Sequence, residues 1–196
     1  MRPSPLYVFI GLVSWPLVYG PFRLRVQGTA NLPESGFVVA ANHTSNLDPW
    51  PLGMPLWPER QLRFMAKSEL YWWPLKYVLD AGGAFPVRRG QRDVEAIETA
   101  IGLCRQGHIV AMFPEGTRRR KGLVKKYEAR PHTGAARIAS EADVPLVPAA
   151  IKGTDRLSRF GPLRVAYGPP LASGPNHRET TERLMAEIER LYASLR

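Results

Sequence analysis

Short apolar runs separated by polar turns predict a sheet whose strands alternate with helices. The run 37–41, Phe-Val-Val-Ala-Ala, is apolar at every position, which is typical of a strand buried on both faces. Further stretches with the composition and length of strands are 23–27, 63–66, 108–113 and 144–151. A last candidate, 163–167, precedes a Gly-Pro-Pro turn and is predicted to be an edge strand.

Apolar residues at helical spacing predict helices in the second half of the chain. One helix is expected between Asp93 and Gly107, a second over 133–141, and a third from His177 onward. The apolar stripes consist of Val94, Ile97, Ile101 and Cys104 in the first of these helices and of Leu184, Ile188, Leu191 and Leu195 in the third. We expect both stripes to pack against the domain.

The amino-terminal residues form a separate apolar segment. Over 6–22 the chain carries no ionisable side chain apart from tyrosine, and Pro16 and Pro21 interrupt it. A membrane span needs about 20 apolar residues, so an interfacial or re-entrant anchor suits this segment as well as a span does. A buried helix is the alternative. We therefore expect a membrane-associating segment over 1–22 and a globular domain over 23–196.

The run 37–41 ends in the polar turn 42–48, Asn-His-Thr-Ser-Asn-Leu-Asp. Open α/β sheets place their chemistry at the carboxyl ends of strands, where His43 is expected to lie. In one interpretation, Asp48 folds back onto one imidazole nitrogen, fixes the tautomer and stabilises the imidazolium, while the other nitrogen removes a proton. In the other, Asp48 caps a helix that begins at Pro49, and His43 is an ordinary turn residue. The turn by itself leaves both interpretations open.

A second polar turn, 115–118, follows the strand candidate 108–113. If a helical crossover joins parallel strands, both turns lie at the same edge of the sheet, and the second turn comes near His43. The side chains concerned are Glu115, Thr117 and Arg118. A surface turn with a glycine hinge is the alternative interpretation.

Basic residues outnumber acidic ones by 27 to 17, which gives a formal net charge of +10. Such a charge calls for an anionic partner, namely nucleic acid, an anionic lipid surface or a phosphorylated substrate. Arg88 and Arg89 follow a glycine-containing turn and suit a phosphate clamp, although solvated arginines are the alternative. The single cysteine, Cys104, excludes an intrachain disulfide, and no Cys/His cluster has the spacing of a structural zinc site.

Four blocks in a characteristic order carry a resemblance to a known family. The stretch 42–48 matches the NHxxxxD block, and 113–118 matches the FPEGTR block, of the glycerolipid acyltransferases, which include the bacterial 1-acyl-glycerol-3-phosphate acyltransferases. The stretch 83–88 resembles the glycine, phenylalanine and arginine block between them, and 144–151 resembles the fourth block. Because the blocks extend over about 36–153, the chain is identified as a member of that family.

The resemblance implies a single α/β domain with a mixed, largely parallel sheet flanked by helices. It also implies acyl transfer from a thioester to the hydroxyl of 1-acyl-sn-glycerol-3-phosphate, giving phosphatidic acid. The donor is acyl-coenzyme A or acyl carrier protein, and no cofactor or metal ion is implied. His43 resembles the family's general base and Asp48 its orienting partner. The acceptor-binding positions implied by the resemblance are Glu115, Gly116, Thr117 and Arg118, with Arg88 as a further phosphate contact.

With the apolar amino terminus, the resemblance implies a peripheral or monotopic enzyme on the cytoplasmic side of a membrane, with an anionic surface as partner. Another lysophospholipid, an amino-acid lipid or a glycolipid is the alternative acceptor, since the blocks recur in such enzymes. A basic nucleic-acid-binding module explains neither the paired motifs nor the apolar terminus. The basic run 118–130 suits coenzyme A phosphates, an acidic carrier protein or lipid headgroups, and His132 stands near a position where many relatives have lysine.

Overall fold

The computed structural model describes residues 3–87, 94–115 and 131–195, and within them the chain forms a seven-stranded sheet. Its strands are β1 (Arg25–Gln27), β2 (Phe37–Ala41), β3 (Leu62–Lys67), β4 (Ala84–Val87), β5 (Ile109–Met112), β6 (Leu146–Lys152) and β7 (Arg164–Tyr167). They lie in the order β1-β7-β6-β2-β5-β3-β4. Strands β6 and β7 are antiparallel, and the other neighbouring pairs are parallel. The expected mixed, largely parallel sheet is confirmed.

Helices flank this sheet on both faces. They are α1 (Pro5–Tyr19), α2 (Pro49–Gly53), α3 (Leu75–Gly82), α4 (Val94–Arg105), α5 (Gly134–Ala142) and α6 (His177–Ser194). Apolar side chains of α4, α5 and α6 pack on one face of the sheet, and those of α2 and the carboxyl end of α1 pack on the other. A short 3-10 helix, Thr154–Arg159, follows β6.

Strand β2 contributes side chains to the apolar layers on both faces of the sheet. Phe37, Val39 and Ala41 pack into the layer that contains α2, while Val38 and Ala40 pack into the layer that contains α5. All five side chains are buried, as the continuous apolar run predicts for a central parallel strand.

The sequence prediction for β7 is wrong in one respect, because β7 is not an edge strand. It lies between β1 and β6, and β1 pairs with it in parallel with Val26 aligned on Val165. Within the described sheet, β1 and β4 form the edges. Local composition did not reveal this arrangement, since β1 is only three residues long and lies far from β7 in the sequence.

The predicted helical stripes are buried apart from two residues of α4, of which Ile97 is half-buried. Ile101 and Cys104 of α4 are buried, whereas Val94 at the start of that helix is exposed. In α6 the buried residues include the whole predicted stripe up to the helix end, namely Leu184, Ile188, Leu191 and the capping residue Leu195. This helix therefore packs on the domain as expected.

Helix α1 corresponds to most of the apolar amino-terminal segment. Ser4 caps it, since its Oγ accepts a hydrogen bond from the Tyr7 backbone N–H at 3.2 Å. Pro16 lies inside this helix, which continues to Tyr19. Among the helices of the described ranges, none has the length and apolar character that crossing a membrane requires.

Candidate active site

Three polar turns meet at the carboxyl ends of β2, β5 and β6. Strand β2 lies between the other two and is parallel to both, with Ala40 aligned on Met112 and on Pro148. The segments that follow the three strands therefore leave the sheet at one edge. They supply His43 and Asp48 after β2, Glu115 after β5 and Thr154 after β6.

His43 and Asp48 form a hydrogen-bonded pair. Nδ1 of His43 lies 2.8 Å from Oδ2 of Asp48, and the aspartate side chain is fully buried while that of the histidine is 12% exposed. Asp48 directly precedes α2, but its side chain makes no capping hydrogen bond to that helix. The capping interpretation is therefore wrong. The pairing leaves Nε2 as the imidazole nitrogen that can accept a proton.

Hydrogen bonds hold Asp48 in its ionised form. Burial by itself raises the pKa of this carboxyl, but hydrogen bonds from His43, two backbone N–H groups and a hydroxyl outweigh that effect, so the pKa of Asp48 lies below its ordinary value. The donors besides His43 are Thr44 N at 2.7 Å and Ser45 N at 2.9 Å from Oδ2, and Thr154 Oγ1 at 2.5 Å and Thr44 Oγ1 at 3.3 Å from Oδ1. A carboxylate fixed in this way orients the imidazole and stabilises the imidazolium.

Phe113 brings the β5 turn against the histidine. Its ring stacks on the imidazole of His43 with the ring centroids 4.3 Å apart and the planes inclined by 24°. The contact places the residue at the carboxyl end of β5 beside His43. The expected approach of Glu115, Thr117 and Arg118 to His43 stays a prediction, since Thr117 and Arg118 lie outside the described residues. The stack also limits rotation of the imidazole, which the Asp48 hydrogen bond already restricts.

Asn42 has a structural role that sequence reasoning missed. Its Nδ2 donates to the Ile151 carbonyl oxygen at 2.9 Å, and its Oδ1 accepts from the Ile151 N–H at 2.8 Å. This amide therefore clamps the end of β2 to the end of β6, instead of bonding within its own turn. Ser45 does bond locally, because its Oγ accepts from the Leu47 N–H at 3.2 Å.

Thr154 was also missed. It is buried at the start of the 3-10 helix after β6, where its hydroxyl donates to Asp48 and lies 2.8 Å from the hydroxyl of Thr44. Gly153 precedes it with φ of 101°, and a Cβ there would lie 2.4 Å from the Pro162 carbonyl oxygen. The glycine thus permits the sharp turn that points Thr154 at Asp48. The available signal was the Gly-Thr pair directly after a buried strand.

An apolar cavity of about 250 Å³ lies beside the polar turn 42–48. Helices α1, α2 and α3 and strand β3 form its walls, and Asn46 and Leu47 of the turn contribute to its lining. Among its other lining residues are Ile10, Trp50, Met54, Phe64 and Leu79. A cavity of this composition suits a hydrocarbon chain.

The remaining predicted site residues are only partly described. Glu115 is half-buried and follows Pro114, whose carbonyl oxygen accepts a hydrogen bond from the His132 N–H at 2.8 Å. His132 therefore lies beside the second polar turn. The predicted residues outside the described ranges are Arg88, Gly116, Thr117 and Arg118, together with the rest of the basic run to 130. In the described part of the chain, no group of three or more His, Cys, Asp and Glu side chains is placed to hold a metal ion.

Comparisons with known proteins place this geometry in a family. The acyltransferase family model matches residues 23–152, more than half of the chain. A 1-acyl-sn-glycerol-3-phosphate acyltransferase of Bacillus subtilis is 36% identical over 176 residues, covering 86% of this chain and 84% of the relative. A probable 1-acyl-sn-glycerol-3-phosphate acyltransferase of Mycoplasma pneumoniae is 33% identical over 153 residues, covering 73% of this chain and 54% of the relative.

A crystal structure supports the same relationship. The 1-acyl-sn-glycerophosphate acyltransferase of Thermotoga maritima superposes with a TM-score of 0.69 at 25% identity, covering 94% of this chain and 78% of that chain. Fold and site together define an α/β enzyme that pairs a histidine with a buried aspartate at the carboxyl edge of its sheet. The chain belongs to the acyltransferase family and is an O-acyltransferase. The resemblance carried by the four sequence blocks is therefore confirmed.

Proposed function

We propose that the protein transfers a fatty acyl group from a thioester donor to the free hydroxyl of 1-acyl-sn-glycerol-3-phosphate, which gives phosphatidic acid. The 2.8 Å contact between His43 Nδ1 and Asp48 Oδ2 carries this proposal, because it leaves Nε2 as a base in a turn whose Asn46 and Leu47 line an apolar cavity. The names of the Bacillus and Thermotoga relatives support the choice of acceptor.

His43 is the general base in this proposal. Asp48 accepts the hydrogen bond of Nδ1–H and so favours the tautomer in which Nε2 is unprotonated. Nε2 removes the proton of the acceptor hydroxyl while the hydroxyl oxygen bonds to the thioester carbonyl carbon. The tetrahedral oxyanion then collapses, the C–S bond breaks, and the leaving thiolate takes the proton from His43. The products are an ester and a free thiol, without a covalent acyl-enzyme.

The apolar cavity receives an acyl chain. Leu47 lines the cavity and directly precedes Asp48, the hydrogen-bond partner of His43. A thioester whose hydrocarbon chain fills the cavity therefore has its carbonyl near His43. Each methylene that leaves water contributes about 0.8 kcal/mol, so the cavity's length affects which chains are used. The donor is acyl-coenzyme A or an acyl carrier protein.

The phosphate of the acceptor binds at the block that follows Phe113. A guanidinium group can bind phosphate through two parallel N–H···O bonds. We assign Arg118 and Arg88 to this task from the sequence blocks that they share with the family, with Glu115, Gly116 and Thr117 completing the acceptor site. The stack of Phe113 on His43 supports the assignment, because the segment leading to these residues starts at the base.

The enzyme acts as a peripheral or monotopic protein on the cytoplasmic side of the cell membrane. Exposed apolar residues of α1 support contact with lipid, and the net charge of +10 attracts the protein to an anionic surface. Location at the membrane gives direct access to a lysophospholipid acceptor.

Thiol release from long-chain acyl-coenzyme A by the purified protein in detergent tests the proposed reaction. We expect release to require lysophosphatidic acid and to equal the phosphatidic acid detected by mass spectrometry. Acyl carrier protein and other lysophospholipids are run in parallel to identify the donor and the acceptor. Equal release without any acceptor would indicate a thioesterase, and no release with any combination would contradict acyl transfer.

A further inference from the structure

Exposed large apolar side chains are concentrated in two stretches of the described chain. Helix α1 carries Leu6, Phe9, Leu12, Val13, Trp15 and Leu17, and residues 70–78 carry Leu70, Trp72, Trp73, Tyr77 and Val78. Together they account for eleven of the fourteen such side chains among the described residues. Isolated exposed apolar residues are ordinary, but a cluster of this size marks an interaction surface.

The two stretches flank the same cavity. Helix α1 lines the cavity from one side and α3 from another, and the two helices contact each other. Leu47 and Val78 both line the cavity and are 50% and 56% exposed, so the cavity reaches the surface at these residues. The mouth of the cavity therefore lies between the polar turn 42–48 and the second apolar stretch.

We propose that residues 70–78 form a second membrane contact beside α1, so that the cavity mouth opens onto the lipid surface. This inference rests on the proposed function, because a lysophospholipid and its product reside in the membrane. Trp72, Trp73 and Tyr77 are of the residue types that concentrate at membrane–water interfaces. Trp73 is 77% exposed, a high value for so large an apolar side chain.

Residues 70–78 contribute apolar contact to membrane binding, whereas the net charge of the whole protein contributes electrostatic attraction. Around it lie the exposed side chains of Lys67, Glu69, Lys76 and Asp80, which balance one another. The protein as a whole has a net charge of +10, which draws it to anionic lipid. The contribution of residues 70–78 is therefore apolar and does not depend on salt, whereas the initial attraction to an anionic surface does.

Co-sedimentation of the full chain with vesicles tests the proposal. The test variant combines Trp72→Ala with Tyr77→Ala, neither of which lines the cavity, and the matched control combines Val94→Ala with Phe160→Ala, which are also exposed. We expect the test variant to partition about tenfold or more weakly onto vesicles of phosphatidylcholine with phosphatidylglycerol, by the same factor at low and high salt. The control and Tyr77→Trp should partition as the wild type does.

Further measurements separate this inference from its alternatives. Thiol release with a short-chain donor and a monomeric short-chain acceptor should be unchanged in the test variant, since no membrane is involved. Unchanged vesicle partition of the test variant would overturn the proposal. So would a lipid-free dimer, seen by analytical ultracentrifugation, that this variant dissociates while vesicle partition stays the same. If the wild type lacks acyl transfer but the partition result holds, the proposed reaction fails and the membrane contact stands.

Discussion

The Thr154 hydroxyl donates a hydrogen bond to the Asp48 carboxylate across 106 residues of sequence. The contact joins the turn after β6 to the turn after β2. It is made to Oδ1 of Asp48, the carboxylate oxygen that is not bonded to His43. Thr154 thereby fixes the carboxylate that in turn fixes the imidazole. We assign it as a positioning residue for the proposed base.

Removing only this hydroxyl should impair catalysis more than binding. Thr154→Val keeps the shape of the side chain but leaves Oδ1 of Asp48 without this donor, and we expect kcat to fall about tenfold with little change in KM. Thr154→Ser should restore most of kcat because it retains the hydroxyl. Steady-state kinetics on the three proteins, with thermal melting as a check of folding, measure this. Equal kcat in the valine and serine variants would contradict the assignment.

The clamp between Asn42 and Ile151 predicts a loss of stability on substitution. Asn42→Ala leaves the buried N–H and carbonyl of Ile151 without their partner, which costs about 2 to 4 kcal/mol of unfolding free energy. Ser45→Ala is the matched control from the same turn and should change it by less than about 0.5 kcal/mol. Urea unfolding gives both values, and similar stabilities for the two variants would refute the clamp.

The cavity predicts a change in acyl-chain preference when Gly82 is enlarged. Gly82 lines the cavity at the end of α3, and a Cβ there meets no atom within 4 Å, so Gly82→Leu adds bulk that the fold tolerates. We expect kcat/KM for long acyl chains to fall about tenfold or more relative to short ones, since lost room for methylenes forfeits their burial. Competition between donors of different length measures this ratio.

Gly102→Leu provides the control for that experiment. Gly102 also lies within a helix, and an added Cβ there likewise meets open space, but it does not line the cavity. Its chain-length preference should equal that of the wild type. A parallel shift in both glycine variants would show that the cavity does not hold the acyl chain.

The lowered pKa of Asp48 predicts that the unfolding free energy depends on pH in the acidic range. Because the pKa of Asp48 lies below its ordinary value of 3.8 in the folded protein, folding favours the ionised form. The stabilisation is complete above that ordinary value and is lost as the pH falls through the lower, folded pKa. The unfolding free energy of the wild type should therefore decrease more steeply below about pH 3.8 than that of Asp48→Asn. Parallel curves from urea unfolding at each pH would contradict this.

The sequence predicted features that depend on neighbouring residues. The run 37–41 is apolar throughout and forms β2 with the predicted bounds, and the polar turn after it places His43 at the edge of the sheet. Contacts between distant segments were not predictable in the same way. Asn42 binds a backbone 109 residues away, and no periodicity encodes such a partner. The position of β7 inside the sheet likewise depends on β1, and a strand of three residues is too short for its pairing partner to be predicted from sequence.

The most direct test of the account is the single-turnover rate of acyl transfer in His43→Ala. With lysophosphatidic acid and long-chain acyl-coenzyme A, loss of a positioned general base should lower this rate by about 10²- to 10⁴-fold. His177→Ala, which removes a histidine from the first position of α6, should retain the wild-type rate. A rate within about twofold of the wild type in His43→Ala, with the fold intact, would contradict the role of His43 as the base.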